Sequence, residues 1–305
     1  TNEASVMNAI DPSVMADPVT GKWWMHYGSF FGGLYCVELD PETGLPAEEG
    51  DQGHLTARRA NYQKDNLEAP EIIYNPDLKQ YYLFVSYDPL MTTYNVRVGR
   101  SDKAEGPFVD FSGVELKDTT NNFPILTAPY RFHNHPGWAG TAHCSVFTSD
   151  EGQYFMAHQG RLSPHNQMMD LHLRQVFFTP DGWPVVSPER YTGCVSRKFS
   201  AEDMAGEWEV IRIQEPAYER RLQAGQILWG EGQLKEEEWN VSHLLSLEKN
   251  GNLGENKGTW ELLEAKQLLS LTLEGEIINN LIIFCLLYTS PSPRDMRRHR
   301  MPSSA

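Results

Sequence analysis

The stretch DPSVMADPVTGKWWMHYGS, residues 11–29, decides the reading of this chain because it recurs twice. APEIIYNPDLKQYYLFVSYD follows at 69–88 and HCSVFTSDEGQYFMAHQG at 143–160. Each copy has a short apolar run, a polar turn rich in Asp, Asn, Pro or Gly, an aromatic pair and a second apolar run, which together spell a β-hairpin. With Val14, Ile72 and Val146 set as equivalent, the aromatic pair starts nine residues on at Trp23, nine on at Tyr81 and eight on at Tyr154. The copies begin 58 and then 74 residues apart, close to the roughly 40–50 residues of a four-stranded propeller blade plus loop insertions. Runs at 33–39, 94–99 and 171–178 supply outer strands, and no stretch before residue 200 has helical periodicity. An all-β propeller is the expected architecture.

Composition fits that reading. The 305 residues can bury a large core, and the net charge of −15 leaves no basic face for nucleic acid. The longest apolar run, 281–287, is far shorter than a membrane-spanning helix, so neither nucleic acid nor a membrane is an expected partner. Cys36, Cys144, Cys194 and Cys285 are widely spaced and form no CxxC pair. Residues 1–195 are read as the propeller. From Gly206 the pattern changes to shorter alternating runs, including 226–229, 259–263 and 269–273, and 204–284 is read as a smaller, barrel-like β-domain. The segment 285–305, CLLYTSPSPRDMRRHRMPSSA, turns abruptly basic and resembles translated sequencing-adaptor DNA; it is set aside as not natural structure.

In a propeller the inner strand of each blade begins near the central axis, so equivalent positions converge there. Those positions are Asp11, Ala69 and His143, with Glu68 immediately before Ala69. Taken singly, Asp11 reads as a turn residue before Pro12 and Glu68 as a loop charge. Their shared register with the repeat favours a common cavity instead. The neighbouring Cys144 points to the opposite strand face from His143, which argues against a thiol nucleophile. His133 and His135 of RFHNHPG read as a solvated rim, and Lys235-Glu236-Glu237-Glu238 as a solvated turn.

The motifs IDPSV with GKWWMHYGSFFGGLY, LEAPEIIYNP with YYLFVSYDPL and YNVRVGRS, GWAGTAHCSVF with YFMAHQGR, and MMDLHLRQVFFTPDGWPVVSPERY resemble glycoside hydrolase family 43, and within it the endo-α-1,5-L-arabinanases. The resemblance implies a five-bladed propeller that hydrolyses arabinan with inversion. By motif, Glu68 matches the general acid and Asp11 the carboxylate that raises the acid's pKa and orients it. His143 matches a histidine that helps hold calcium, partly through water. The matching general base, an Asp of the first blade, has no counterpart upstream of Asp11. The chain is therefore expected to be an inactive fragment, truncated at its N-terminus, of a secreted, extracellular parent.

Sugar rings pack on aromatic faces, and Phe30, Phe31, Tyr87 and Trp138 adjoin the motifs; Ser29 and Gln159 are the expected hydroxyl partners. Should Glu68 not be the acid, Glu71 is the substitute. The expected partner is the polysaccharide arabinan, bound by a monomer. An exo-acting arabinofuranosidase or β-xylosidase of the same family, and a non-catalytic carbohydrate-binding propeller, are the competing readings.

Overall fold

The computed structural model describes residues 7–59, 66–118, 123–188, 190–193, 198–213, 233–266, 268–273, 276–281 and 299–304. Each of the three repeated hairpins opens a four-stranded antiparallel sheet. The first contains β1 (Ser13–Ala16), β2 (Trp23–Tyr27), β3 (Leu34–Leu39) and β4 (His54–Ala57). The second contains β5 (Leu67–Asn75), β6 (Gln80–Tyr87), β7 (Asn95–Ser101) and β8 (Ile125–Thr127). Two short strands, β9 (Tyr130–Arg131) and β10 (Trp138–Ala139), precede the third, formed by β11 (Ser145–Thr148), β12 (Tyr154–Leu162), β13 (Asp170–Phe178) and β14 (Pro184–Val186).

The hairpin turns explain the spacing of nine, nine and eight. In the first, the Asp17 amide donates to the Lys22 carbonyl, the Asp17 carboxylate accepts from the Val19 amide at 3.0 Å, and Gly21 supplies a positive φ of 76°. Asn75 plays the same part in the second turn, accepting from the Asp77 and Leu78 amides, with Lys79 at φ 53°. Both turns place four residues between the closing pair. The third closes from the Ser149 amide to the Gln153 carbonyl and has three, with Gly152 at φ 80°. One residue fewer in the turn is one residue fewer before the aromatic pair.

Period-two alternation puts successive side chains on opposite faces, and the middle blade uses both. Tyr81, Leu83, Val85 and Tyr87 of β6 pack with Trp24, Leu34 and Cys36 of the first blade. Tyr82 and Phe84 pack with Val146, Met156 and Val176 of the third. This is why YYLFVSY reads as a continuous apolar run rather than an alternating one. Inside the second blade, buried Asp88 pairs with Arg59 and accepts from Asn95 Nδ2 at 2.6 Å, so the buried charge is compensated.

The one α-helical turn among the described residues, α1 (Ala201–Met204), starts with a capping box in which Ser200 and Asp203 satisfy each other's amides. It leads into the second unit: β15 (Gly206–Ile213), β16 (Asn240–Val241), β17 (His243–Leu247), β18 (Asn252–Leu253), β19 (Gly258–Leu263), β20 (Leu268–Leu273), β21 (Glu276–Leu281) and β22 (His299–Ser304). All but β16 form one sheet around a core that includes Trp208, Leu253, Trp260 and Leu269. β22 lies parallel to β15, within the segment that the sequence reading set aside. The run 226–229, Cys194 and Cys285 lie outside the described residues.

The two units share a hydrogen-bonded sheet. β16 runs parallel to β9, β9 pairs with β10, and β10 with the end of β12. Around this ribbon Ile211 packs with Tyr130, Phe132 and Trp138, and buried Glu209 accepts from the His133 amide and, at 2.6 Å, from Ser242 Oγ. Gly137 has φ 102° and lies under Trp239; a Cβ there would come within 2.5 Å of the indole. The acidic turn expected to be solvated is partly used at this boundary. Glu236 pairs with Arg131, while Glu238 is buried and accepts from the Lys235 amide at 2.7 Å. No described helix is long and apolar enough to cross a membrane.

Candidate active site

Three residues in the left-handed region mark where the blades converge. Asp11 has φ 54°, Ala69 φ 51° and His143 φ 55°. These are the positions that the repeat makes equivalent. Non-glycine residues adopt this conformation at a cost of order 1 kcal/mol or more, and Asp and His tolerate it better than Ala. All three line a cavity of about 620 Å³ together with Glu71, Gln159 and Asp170.

Glu68 sits at the edge of this arrangement, half-buried, with Glu71 rather than Glu68 in the cavity wall. Its Oε2 accepts from Ser29 Oγ at 2.9 Å, and a single bridge joins the two residues across blades. Its Oε1 accepts from Tyr94 Oη at 2.6 Å. Burial pushes the Tyr94 phenol well above its ordinary range, and the charges of Glu68 and, more weakly, Asp11 push it further. Tyr94 therefore stays protonated and remains a donor to Glu68. Tyr94 opens the YNVRVGRS motif, and its role is hidden there because a Tyr before a strand carries no distinguishing pattern.

The other expected residues divide. His143 is exposed on the cavity wall, and its amide donates to Ser86 Oγ at 2.9 Å. Gln159 also lines the cavity; its Oε1 accepts from Arg161 at 3.4 Å. Ser29 is buried and its hydroxyl is spent on Glu68. Phe31 is 50% exposed, whereas Phe30 is buried. Tyr87 and Trp138 are core residues instead of sugar platforms. Tyr87 is 1% exposed, with the Arg59 and Arg97 guanidinium groups 5.2 and 4.7 Å from its ring centre. Trp138 packs edge-on against His172 at 4.4 Å within the inter-unit cluster. Both adjoin site motifs in sequence, but strand alternation and the domain boundary turn their rings inward. Apolar surface at the cavity comes from Met169 and Leu171, both largely exposed, which an expectation built on aromatics passes over.

Glu71 is engaged across the blades at both of its oxygens. Its Oε2 accepts from Ser13 Oγ at 2.8 Å, and its Oε1 from Ser145 Oγ at 2.8 Å and the Val146 amide at 2.9 Å. Cys144 is buried, and burial raises its thiol well above the usual range, so it is no nucleophile. His133 is exposed and His135 half-buried, its Nδ1 accepting from the Gly137 amide. Among the described residues, no three His, Cys, Asp or Glu side chains gather in a metal-holding arrangement.

Residues 2–184 match the family described as "Glycosyl hydrolases family 43". The chain belongs to glycosyl hydrolase family 43. Residues 188–296 match a C-terminal lipocalin-like domain found with that family, which accounts for the second β-unit. Among family 43 relatives, extracellular endo-α-(1→5)-L-arabinanase 2 of Bacillus subtilis is 28% identical over 90% of this chain and 58% of its own length. The extracellular endo-α-(1→5)-L-arabinanase of Thermotoga petrophila is 33% identical over 67% of this chain and 46% of its own. The crystal structure of endo-1,5-α-L-arabinanase from Thermotoga petrophila in complex with TRIS superposes with a TM-score of 0.77 at 27% identity, covering 95% of this chain and 64% of that one. The chain thus spans about half the length of the curated relatives that it matches.

Proposed function

We propose that this chain carries the acid side of an inverting arabinan hydrolase of family 43, secreted in its parent form. The carrying observation is the shared left-handed backbone of Asp11, Ala69 and His143 around one cavity, with Glu68 beside Ala69. Backbone strain of this kind persists where surrounding structure over-determines it, and it clusters at reaction sites.

In the proposed reaction Glu68 gives its proton to the glycosidic oxygen as the bond to the anomeric carbon breaks. Ser29 and Tyr94, donating to its two oxygens, hold the carboxyl in one orientation and receive the charge that remains after transfer. Asp11 orients the acid from the neighbouring inner strand. Inversion needs a second carboxylate about 6.5–9.5 Å away to activate water on the far face of the sugar. We assign that role to an aspartate of a further, N-terminal blade. Met169 and Leu171 provide apolar surface for the sugar rings, and Gln159 an amide for their hydroxyls.

Calcium takes six to eight oxygen ligands, whereas His143 offers one nitrogen. The described residues therefore fit calcium only through a shell of water near His143. Bound there it would supply positive charge to the cavity wall, and no step of the proposal runs through it.

The test is a chimera in which the first blade of the Thermotoga petrophila enzyme precedes this chain, assayed on linear arabinan. Hydrolysis is expected, with loss of at least about 100-fold in the Glu68→Gln variant. A chimera that binds arabinan without cleaving it favours the binding-propeller reading. Full activity in Glu68→Gln would move the acid elsewhere.

A further inference from the structure

The inner strands β1, β5 and β11 belong to three different blades and share no backbone ladder. They are joined by one carboxylate. Ser13, Glu71 and Ser145 each lie two residues after a left-handed position, Asp11, Ala69 and His143 respectively. They therefore occupy the same rung of the repeat. Ser13 Oγ donates to Glu71 Oε2, and in turn accepts from the Ile72 amide at 3.2 Å. On the other side Ser145 Oγ and the Val146 amide donate to Oε1. The middle blade has Glu where its neighbours have Ser, which a three-way contact between equivalent positions requires: one double acceptor flanked by two short donors.

We propose that Glu71 is a positioning residue, an inter-blade clasp that fixes the separation of Asp11 and His143 across the cavity and, through the bulge at residues 69 and 70, the placement of Glu68. The claim rests on the arabinanase reading only in taking those residues as the reaction site. Hydrogen bonds to a carboxylate are stronger than neutral ones, and their length leaves little play. The strained Asp11, Ala69 and His143 backbones are thus each anchored two residues downstream by the same group.

The test uses the full chain, labelled with nitrogen-15, and asks whether blades one and three sense each other through Glu71. Ser13→Ala is expected to shift the Val146 and His143 amide resonances, and Ser145→Ala those of Ile72 and Asp11. Both transmitted shifts should vanish in a Glu71→Ala background. Glu71→Gln keeps one carbonyl acceptor and presents an amide donor, so it should preserve the Val146 resonance while cutting the response to Ser13→Ala. This second variant keeps the test decisive should Glu71→Ala fail to fold. Silence at the remote blade, or shifts that survive loss of the carboxylate, would overturn the clasp.

Calorimetric titration of the first-blade chimera with linear α-1,5-arabinohexaose separates positioning from mere structure. Glu71→Ala should weaken binding about tenfold or more, as the cavity wall loses the three hydrogen bonds that hold it, and Glu71→Gln should recover part of it. Unchanged affinity with the relay broken overturns the positioning role. No binding by the first-blade chimera without these substitutions, with the relay intact, overturns the arabinan reading and leaves the clasp standing.

Discussion

Lowering the pH from 7 to 5 should destabilise the propeller by about 4 kcal/mol through the buried neutral histidines His26 and His172, with buried His158 acting in the same direction. Burial is the leading cause in each case. It holds His26 at about 4 and His172 at about 3, and, with the neighbouring Arg174 charge, His158 well below its ordinary value. His26 Nε2 lies 2.9 Å from the Ala104 carbonyl, and its ring packs edge-on against Phe108 at 5.5 Å. A histidine depressed in the folded state stabilises it above its unfolded value near 6.5, and that contribution is lost as the pH falls toward the folded value. Between pH 7 and 5 the unfolded chain takes up most of a proton per site that the folded chain refuses, worth about 2 kcal/mol each for His26 and His172. Total stabilities are about 5–15 kcal/mol, so the loss is a large fraction. Urea unfolding followed by tryptophan fluorescence at pH 7, 6 and 5 measures it, in a window above most carboxylate titration. His26→Gln should remove about 2 kcal/mol of the pH dependence, whatever it does to stability at pH 7. A loss below about 2 kcal/mol in the parent chain, or an unchanged slope in His26→Gln, would refute the reasoning.

Two further outcomes follow from single contacts. Tyr94→Phe deletes the 2.6 Å donor to Glu68 and should lower arabinan cleavage by the chimera about 10–100-fold, with binding of arabinohexaose little changed. Gly137→Ala drives a Cβ into Trp239 at a φ that alanine resists, so calorimetry should show the two β-units melting in separate transitions rather than together.

The repeat was legible because its signal is local. Turn length, aromatic position and the three left-handed residues all follow from alignment of DPS, APE and HCS, and the eight-residue spacing of the third copy is visible in its shorter turn. What alignment could not show is which neighbours a side chain meets across blades. Tyr87 and Trp138 adjoin the motifs, yet one is enclosed by the Arg59 and Arg97 side chains and the other by a strand pairing across more than a hundred residues. Glu71 looked like a spare acid because a carboxylate in sequence carries no record of its donors. The Ser-Glu-Ser rung was visible in the aligned copies, but only the distances give it meaning.

The ribbon through β10, β9 and β16 also bears on how such proteins are recombined. A gene fusion that replaced the C-terminal unit would leave β9 with an unpaired strand edge and the His133 amide without its acceptor, Glu209. An exchangeable appendage joined by a linker has no such demand. The propeller and its lipocalin-like companion are therefore expected to travel together through evolution, and a transplanted substitute would need both a parallel edge strand and a buried carboxylate at the right rung.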